Sequence, residues 1–162
     1  MTEPGSGTPR GAAISSDKSP IILDTHSWIL LMEGDRSLDG DPFVAAAESA
    51  SIDGRLYVSA ISIAEVALLA SAGRVRFVVP VTTWLREALE TPGLQVVELD
   101  VRVAAEGANL PGAFPGDSAD RLIVSTARLL GGWLATADPA LQEYGAEGWL
   151  RILPLAARAS GS

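Results

Sequence analysis

The chain has 162 residues, of which 48% are hydrophobic and 20% charged, and its formal net charge is −8. These values fit one folded domain with a sizeable core and exclude a mostly disordered chain. The negative charge argues against nucleic-acid binding through bulk electrostatics, so any RNA contact has to be local. Because the chain has no cysteine and no apolar run long enough to span a bilayer, we expect a cytoplasmic protein without a membrane partner.

The start of the chain predicts a leader followed by a buried strand. Residues 1–19 are rich in Gly, Ser, Pro and Thr and lack hydrophobic periodicity, which predicts a disordered leader. We expect the folded domain over residues 20–155 and a frayed tail at 156–162. Residues 21–23 are consecutive aliphatics, which are typical of a parallel strand buried on both faces, and Asp24 follows at its carboxyl end.

The rest of the chain predicts strands that alternate with helices, which is typical of parallel βαβ units in an α/β fold. Glycine or proline follows most of the predicted helices and ends them. The predicted strands cover residues 21–23, 56–58, 94–99, 133–136 and 151–153. The predicted helices cover residues 26–33, 42–52, 63–72, 82–90, 101–108, 117–130 and 140–144.

Four acids occupy equivalent places in this pattern. Asp24 and Asp138 follow strands, and Glu65 and Asp120 lie in the predicted first turns of helices. In open α/β sheets ligands collect outside the carboxyl ends of the strands, so the four acids are expected to meet in one cleft. Carboxylates without cysteine or histidine partners are the oxygen ligands that Mg²⁺ and Mn²⁺ prefer. The chemistry indicated is phosphoryl or phosphodiester transfer assisted by one or two such ions.

Each acid also has a purely structural interpretation. Residues 62–65 have the capping-box pattern Ser-x-x-Glu. In the structural interpretation, the sole role of Glu65 is to satisfy the backbone at the start of a helix. The other acids can cap the helices that follow them or complement the helix dipoles: Asp24, Asp117, Asp120 and Asp138. The joint occurrence of the acids favours a functional site over these separate roles. His26 is the only histidine, and with no cysteine and no Gly-x-Ser-x-Gly turn there is no nucleophilic triad, so His26 is left outside the predicted site.

Four motifs, in this order, resemble the PIN-domain family and more narrowly the VapC-type toxins of bacterial toxin–antitoxin pairs. They are IILDTH at residues 21–26, VSAISIAE at 58–65, GDSADRLIVSTA at 116–127 and LATAD at 134–138. The resemblance runs over nearly the whole chain apart from the leader and the tail.

The resemblance implies a three-layer α/β/α sandwich with a parallel sheet of four to five strands. It also implies a Mg²⁺- or Mn²⁺-dependent endoribonuclease whose catalytic acids hold the metal: Asp24, Glu65, Asp120 and Asp138. Three further residues match supporting positions: Asp117, Thr25 and Thr136. Members of this family commonly form homodimers and are silenced by a small VapB-like antitoxin that also binds operator DNA, so such partners are implied here.

The chain departs from the family pattern where RNA would be held. Related sequences often carry a lysine four residues after the second acid, and this chain has Leu69 there. Arg74 and Arg76 follow closely and are expected to bind the RNA backbone in its place, with Arg121 and Arg128 as further candidates.

Two other hypotheses stay open. The acidic surface and the missing lysine are compatible with a catalytically weak PIN-fold protein that serves as a binding or scaffold module. A phosphatase of the haloacid dehalogenase type also begins with a strand ending in Asp, but its chemistry needs a second Asp two positions later. The residue two positions after Asp24 is His26, so the sequence favours the phosphatase less than the ribonuclease or the scaffold module.

Overall fold

The structure, a computed structural model, describes residues 17–156. These residues form five strands and seven α-helices. The strands are β1 (Ile21–Leu23), β2 (Leu56–Ser59), β3 (Leu94–Val97), β4 (Trp133–Thr136) and β5 (Arg151–Pro154). The helices are α1 (Thr25–Glu33), α2 (Pro42–Ile52), α3 (Ala60–Ser71), α4 (Val81–Leu89), α5 (Val101–Ala108), α6 (Ser118–Leu130) and α7 (Pro139–Ala146). A short 3₁₀ helix, Arg36–Leu38, precedes α2. Within this part of the chain no helix is long and apolar enough to cross a membrane.

The strands form a single parallel sheet with the order β3-β2-β1-β4-β5. The first strand is central, and its Leu23 pairs with Val58 of β2 and with Ala135 of β4. Because every pairing is parallel, the carboxyl ends of all five strands lie along one edge of the sheet. The residues that follow β1, β2 and β4 are therefore brought together there.

Helices cover both faces of the sheet. Successive side chains of a strand point to opposite faces, so Ile21 and Leu23 enter one core while Ile22 enters the other. The first core is filled from α1, α2 and α4, with Trp28, Phe43 and Trp84 as its large side chains. The second is filled mainly from α6 and α7, and α5 packs on the outside of α6. The predicted three-layer α/β/α sandwich is confirmed, with five strands.

The start of α3 differs from the prediction. The helix begins at Ala60 directly after β2, and the Ser59 side chain caps it by accepting a hydrogen bond from the Ile61 N–H at 3.2 Å. The capping box predicted at residues 62–65 is therefore wrong: Ser62 is buried inside the helix, and Glu65 lies in its second turn rather than its first. The remaining predicted boundaries lie within two residues of those observed.

The described residues begin inside the predicted leader. Residues 1–16 of that leader and residues 157–162 of the predicted tail lie outside the described part of the chain. Asp17 accepts a hydrogen bond from Trp133 Nε1 at 2.9 Å and pairs with Arg151 at 3.3 Å. Hydrogen bonds from Ser19, together with these contacts, lower the pKa of Asp17 to about 2. Residues 17–19 are thus attached to the start of β4, at the sheet edge opposite the carboxyl ends.

Candidate active site

A cleft of about 630 Å³ lies at the carboxyl edge of the sheet. It is lined by all four predicted acids: Asp24, Glu65, Asp120 and Asp138. Thr25 and His26 line it as well, and four aliphatic residues complete the wall: Leu69, Ile123, Ala137 and Pro139. The topology explains this convergence, because the acids follow or face the carboxyl ends of the neighbouring strands β1, β2 and β4.

Asp24 is the most enclosed of the four acids. It is only 8% exposed, and its Oδ1 accepts the Ser27 N–H at 2.8 Å, which caps α1. Burial raises the pKa of Asp24, whereas hydrogen bonding from Ser27 and Thr136 and the nearby His26 imidazole lower it. Thr136 is fully buried, and its hydroxyl also accepts the Asp138 N–H at 3.0 Å. Thr136 therefore links the segment after β4 to the acid after β1.

Glu65 is held by a side chain from another helix. The Thr25 hydroxyl donates to Glu65 Oε1 at 2.6 Å and lies 2.8 Å from the buried Ser62 Oγ. Burial raises the pKa of Glu65, the hydrogen bond from Thr25 lowers it, and the charges of Asp117 and Asp24 raise it. The predicted supporting residue Thr25 thus orients the second acid.

Asp117 and Asp120 form a reciprocal capping box at the start of α6. Asp117 Oδ1 accepts the Asp120 N–H at 2.8 Å, and Asp120 Oδ2 accepts the Asp117 N–H at 3.1 Å. Burial raises the pKa of Asp120 to about 6, and the negative charges of Asp117 and Glu65 contribute to the rise. Asp117 is exposed and acts on the cleft through the position and charge of Asp120.

Asp138 lies on the exposed rim of the cleft. Its Oδ1 accepts the Ala140 N–H at 2.9 Å and caps α7, and Pro139 occupies the first position of that helix. The capping roles considered from the sequence are therefore present for Asp24, Asp117, Asp120 and Asp138. Capping and cleft-lining are not alternatives here, since the same side chains do both.

The residues present fit a hard divalent cation that is only partly enclosed. Every acidic donor is a carboxylate oxygen, and three of the acids, Asp24, Glu65 and Asp120, have a raised pKa, which a nearby cation would offset. Among residues 17–156 no three His, Cys, Asp or Glu side chains stand close enough to hold an ion between them. Mg²⁺ commonly keeps several waters and binds through one or two carboxylates plus substrate phosphates, so a closed cage is not required.

The arginines predicted to bind RNA do not line the cleft. Arg74 and Arg76 are exposed in the loop after α3, where the Arg74 N–H bonds to the carbonyl of Leu69 at 2.9 Å. Arg121 instead donates to the Gly107 carbonyl at 3.1 Å and lies over the Phe114 ring, 5.1 Å from its centroid. Arg128 pairs with Glu106 at 2.7 Å. Arg74 and Arg76 are both exposed, and the Arg74 backbone is bonded to the cleft-lining Leu69.

A comparison with known protein families identifies the family to which this fold and acidic cleft belong. Residues 21–147 match the PIN domain family. The chain belongs to the PIN-domain family. Ribonuclease VapC22 of Mycobacterium tuberculosis is 39% identical over 124 residues, which cover 76% of this chain and 91% of that protein.

Solved structures share the PIN-domain fold at low sequence identity. A DNA-bound VapBC from Salmonella typhimurium aligns with a TM-score of 0.58 and 18% identity, covering 85% of this chain and 98% of the other. VapBC2 from Rickettsia felis, bound to a promoter DNA fragment, aligns with a TM-score of 0.60 and 15% identity, covering 83% and 97%. FitAB bound to an IR36 DNA fragment aligns with a TM-score of 0.57 and 21% identity, covering 88% of this chain and 99% of the other.

Sequence analysis of this PIN domain missed several residues that shape the cleft. Ser27 is buried, holds Asp24 through its N–H and donates its hydroxyl to the Ala135 carbonyl at 2.9 Å. His26, left outside the predicted site, lines the cleft, and its Nε2 is buried without a hydrogen-bond partner among the described residues. Leu69 and Ile123 also line the cleft. Their helical spacing from Glu65 and Asp120 was the signal that could have identified them.

Proposed function

We propose that this PIN domain is an endoribonuclease that hydrolyses RNA phosphodiester bonds and acts as the toxin of a toxin–antitoxin pair. The observation that carries the proposal is the convergence of four carboxylates, supplied by separate segments, on one cleft. A phosphodiester is itself an anion, so a cleft of carboxylates accepts it only with a cation in between. The similarity to a protein named Ribonuclease VapC22 supports RNA as the substrate.

We assign a divalent cation, Mg²⁺ or Mn²⁺, to the acids of the cleft: Asp24, Glu65, Asp120 and Asp138. When bound, such an ion supplies positive charge to the scissile phosphate and favours attack of water on phosphorus. The fit rests on the four carboxylates of the cleft and on the raised pKa values of Asp24, Glu65 and Asp120.

The supporting residues fix the acids before substrate arrives. Ser27 and Thr136 favour the ionised form of Asp24, and Thr25 does the same for Glu65. Asp117 holds the Asp120 carboxylate through its own N–H. Preset side chains of this kind lower the cost of assembling a catalytic site, because less reorganisation is needed when substrate binds.

RNA binding is assigned to Arg74 and Arg76. Both are exposed, and the Arg74 backbone is joined to the cleft-lining Leu69. Arginine binds phosphate oxygens in a bidentate manner, which suits a protein whose overall charge is negative. Arg121 would have to leave the Gly107 carbonyl and the Phe114 ring to contact RNA, so its role is proposed as secondary.

The partners proposed are a VapB-like antitoxin and a second copy of this chain, acting in the cytoplasm. The support is the shared fold with chains solved as VapBC and FitAB assemblies. The antitoxin is tested by sequencing the DNA beside the gene for a small open reading frame, co-expressing its product with this chain and co-purifying the two. Light scattering of the purified chain tests the dimer.

The function is tested on purified protein that has been stripped of metal with a chelator. New RNA 5′ ends are mapped in total bacterial RNA with and without added Mg²⁺ or Mn²⁺. The variants are Asp24→Asn and, as a matched control, Asp39→Asn, which changes an exposed acid away from the cleft. We expect discrete cuts that need the cation, persist in Asp39→Asn and are absent in Asp24→Asn.

Two results would contradict this assignment. Cleavage by Asp24→Asn at the rate of the unmodified chain would remove Asp24 from the site. A folded chain that binds the cation and its protein partner but cuts no RNA would favour the scaffold hypothesis over the enzyme.

A further inference from the structure

The loop that joins α5 to α6, residues 109–117, contains one aromatic side chain, Phe114. Phe114 is partly buried against the second core. Its ring meets the Tyr144 ring edge-to-face, with the centroids 5.2 Å apart and the planes at 89°. The Arg121 guanidinium lies over the same ring, 5.1 Å from its centroid. Phe114 is therefore held by two helices, by α6 through Arg121 and by α7 through Tyr144.

The two side chains that hold the ring also bind the backbone that leads up to it. The Tyr144 hydroxyl donates to the Pro111 carbonyl at 2.6 Å, and Arg121 donates to the Gly107 carbonyl at 3.1 Å. Edge-to-face and cation–π contacts follow the charge distribution of an aromatic ring, so they are directional as well as apolar. Together these contacts fix both the loop and the orientation of the Phe114 ring.

Phe114 and Asp120 come close to the same point, at Gly116. A Cβ on Gly116 would lie 2.8 Å from Cε1 of the Phe114 ring and 2.8 Å from Oδ2 of Asp120. The same Oδ2 accepts the N–H of Asp117, the residue that follows Gly116. The ring is thus connected to the Asp120 carboxylate across Gly116 and through the loop backbone that carries its hydrogen-bond donor.

We propose that Phe114 is a positioning residue: clamped by Arg121 and Tyr144, it holds the Asp120 carboxylate in the orientation that faces the cleft. This inference rests on the proposed ribonuclease function and on the cation assigned to the acids. Phe114 does not line the cleft, so it acts through Asp120 and not by touching RNA. Groups that orient a metal-binding side chain change metal affinity or activity about 10- to 100-fold when they are replaced.

The test is Phe114→Leu, which keeps an apolar side chain and removes both ring contacts. Calorimetric titration of the RNA-free, chelator-treated protein with Mn²⁺ measures the affinity for the cation. Cleavage of an RNA oligonucleotide with one mapped cut, at saturating Mn²⁺, measures kcat and KM. We expect the Mn²⁺ affinity and kcat each to fall about tenfold and KM for RNA to stay unchanged.

Phe77→Leu is the matched control. Phe77 is also partly buried and belongs to another aromatic pair, stacked on Trp84 with the centroids 4.4 Å apart. Because Phe77 packs on the first core and not beside Asp120, Phe77→Leu should lower the free energy of unfolding but leave the Mn²⁺ affinity and kcat unchanged. Urea unfolding checks that each variant is folded under the assay conditions.

Gly116→Ala perturbs the same contact from the other side. It inserts a methyl group between the Phe114 ring and the Asp120 carboxylate, so the Mn²⁺ affinity and kcat should fall here as well. The neighbouring residues Pro115 and Asp117 are exposed, so this variant should fold even where Phe114→Leu does not.

The outcomes separate the positioning role from the function on which it rests. Unchanged Mn²⁺ affinity and kcat in either folded variant would refute the positioning role and leave the ribonuclease intact. A rise in KM with unchanged kcat would indicate an RNA contact and would also refute it, as would an equal loss of Mn²⁺ affinity in Phe77→Leu. Failure of the folded, unmodified chain to cut any RNA in the presence of Mn²⁺ would refute the ribonuclease function itself.

Discussion

We expect the ionised Asp120 carboxylate to destabilise the metal-free fold, and its replacement by asparagine tests this directly. Burial, with the charges of Asp117 and Glu65, raises its pKa from 3.8 to about 6. Because the pKa is higher in the folded chain than in the unfolded chain, the stabilising effect of protonation is complete below about pH 4 and is lost as the pH rises through about 6. We expect Asp120→Asn to abolish RNA cleavage and yet to stabilise the metal-free protein at pH 8.

The size of this effect follows from the pKa of Asp120. One pKa unit corresponds to about 1.4 kcal/mol, so ionisation of a group raised from 3.8 to about 6 costs up to about 3 kcal/mol. Asp120 is partly exposed, and solvent screening reduces the expected gain to about 1–2 kcal/mol. Asparagine keeps an acceptor oxygen for the Asp117 N–H, so the capping box should survive the change.

Urea unfolding in the presence of a chelator measures the free energy of unfolding for the unmodified chain, Asp120→Asn and Asp39→Asn. At pH 8 the free energy of unfolding of Asp120→Asn should exceed that of the unmodified chain by about 1–2 kcal/mol. Near pH 4 the two free energies should agree. Asp39→Asn should match the unmodified chain at both pH values, since Asp39 is exposed. Asp120→Asn that is no more stable than the unmodified chain at pH 8 would refute the argument.

Two further changes separate the site from the scaffold. Thr25→Val removes the hydroxyl that donates to Glu65 at 2.6 Å. Because hydrogen bonds to charged groups are worth about 1.5–3 kcal/mol, kcat should fall about 10- to 100-fold. The pH profile of kcat should move to higher pH, since this hydrogen bond lowers the pKa of Glu65. Thr25→Ser should retain activity, and an unchanged kcat for the valine variant would contradict the role of Thr25. Gly132→Ala places a Cβ 2.6 Å from the Pro20 carbonyl oxygen at the opposite sheet edge, which should lower the free energy of unfolding by about 1–3 kcal/mol. Its kcat per folded molecule should not change, and a selective loss of kcat with normal stability would contradict this.

The strands and the acids that follow them could be predicted because their signals are local. A run of aliphatics that ends abruptly in a polar residue marks both the strand and its carboxyl end, as at Leu23 and Asp24. Parallel pairing then brings such ends to one edge without further information. The four acids of the cleft were therefore within reach of sequence analysis, and all four line it.

The start of α3 could not be predicted because two serines offer the same local signal. Ser59 and Ser62 are both good helix caps by residue type, and only Ser62 has a glutamate three residues later. The choice depends on tertiary contacts: Ser62 is buried 2.8 Å from the Thr25 hydroxyl, a contact with another segment of the chain. Similarly, the sequence places Arg121 beside Asp120 but carries no information about its side-chain direction. That direction depends on Gly107 and Phe114.

The structural and functional interpretations of the acids are joined by the helix starts themselves. Asp24 and Asp138 each use Oδ1 to accept an N–H of the helix that follows, and Asp117 does the same for α6. The positive end of a helix favours a carboxylate, so capping holds these side chains at the sheet edge and offsets part of the cost of placing several negative charges together. Glu65 lies in the second turn, where the N–H groups of its helix are already used, and it depends on Thr25 instead. A capping role is therefore no argument against a functional role, because capping holds Asp24, Asp120 and Asp138 at the cleft.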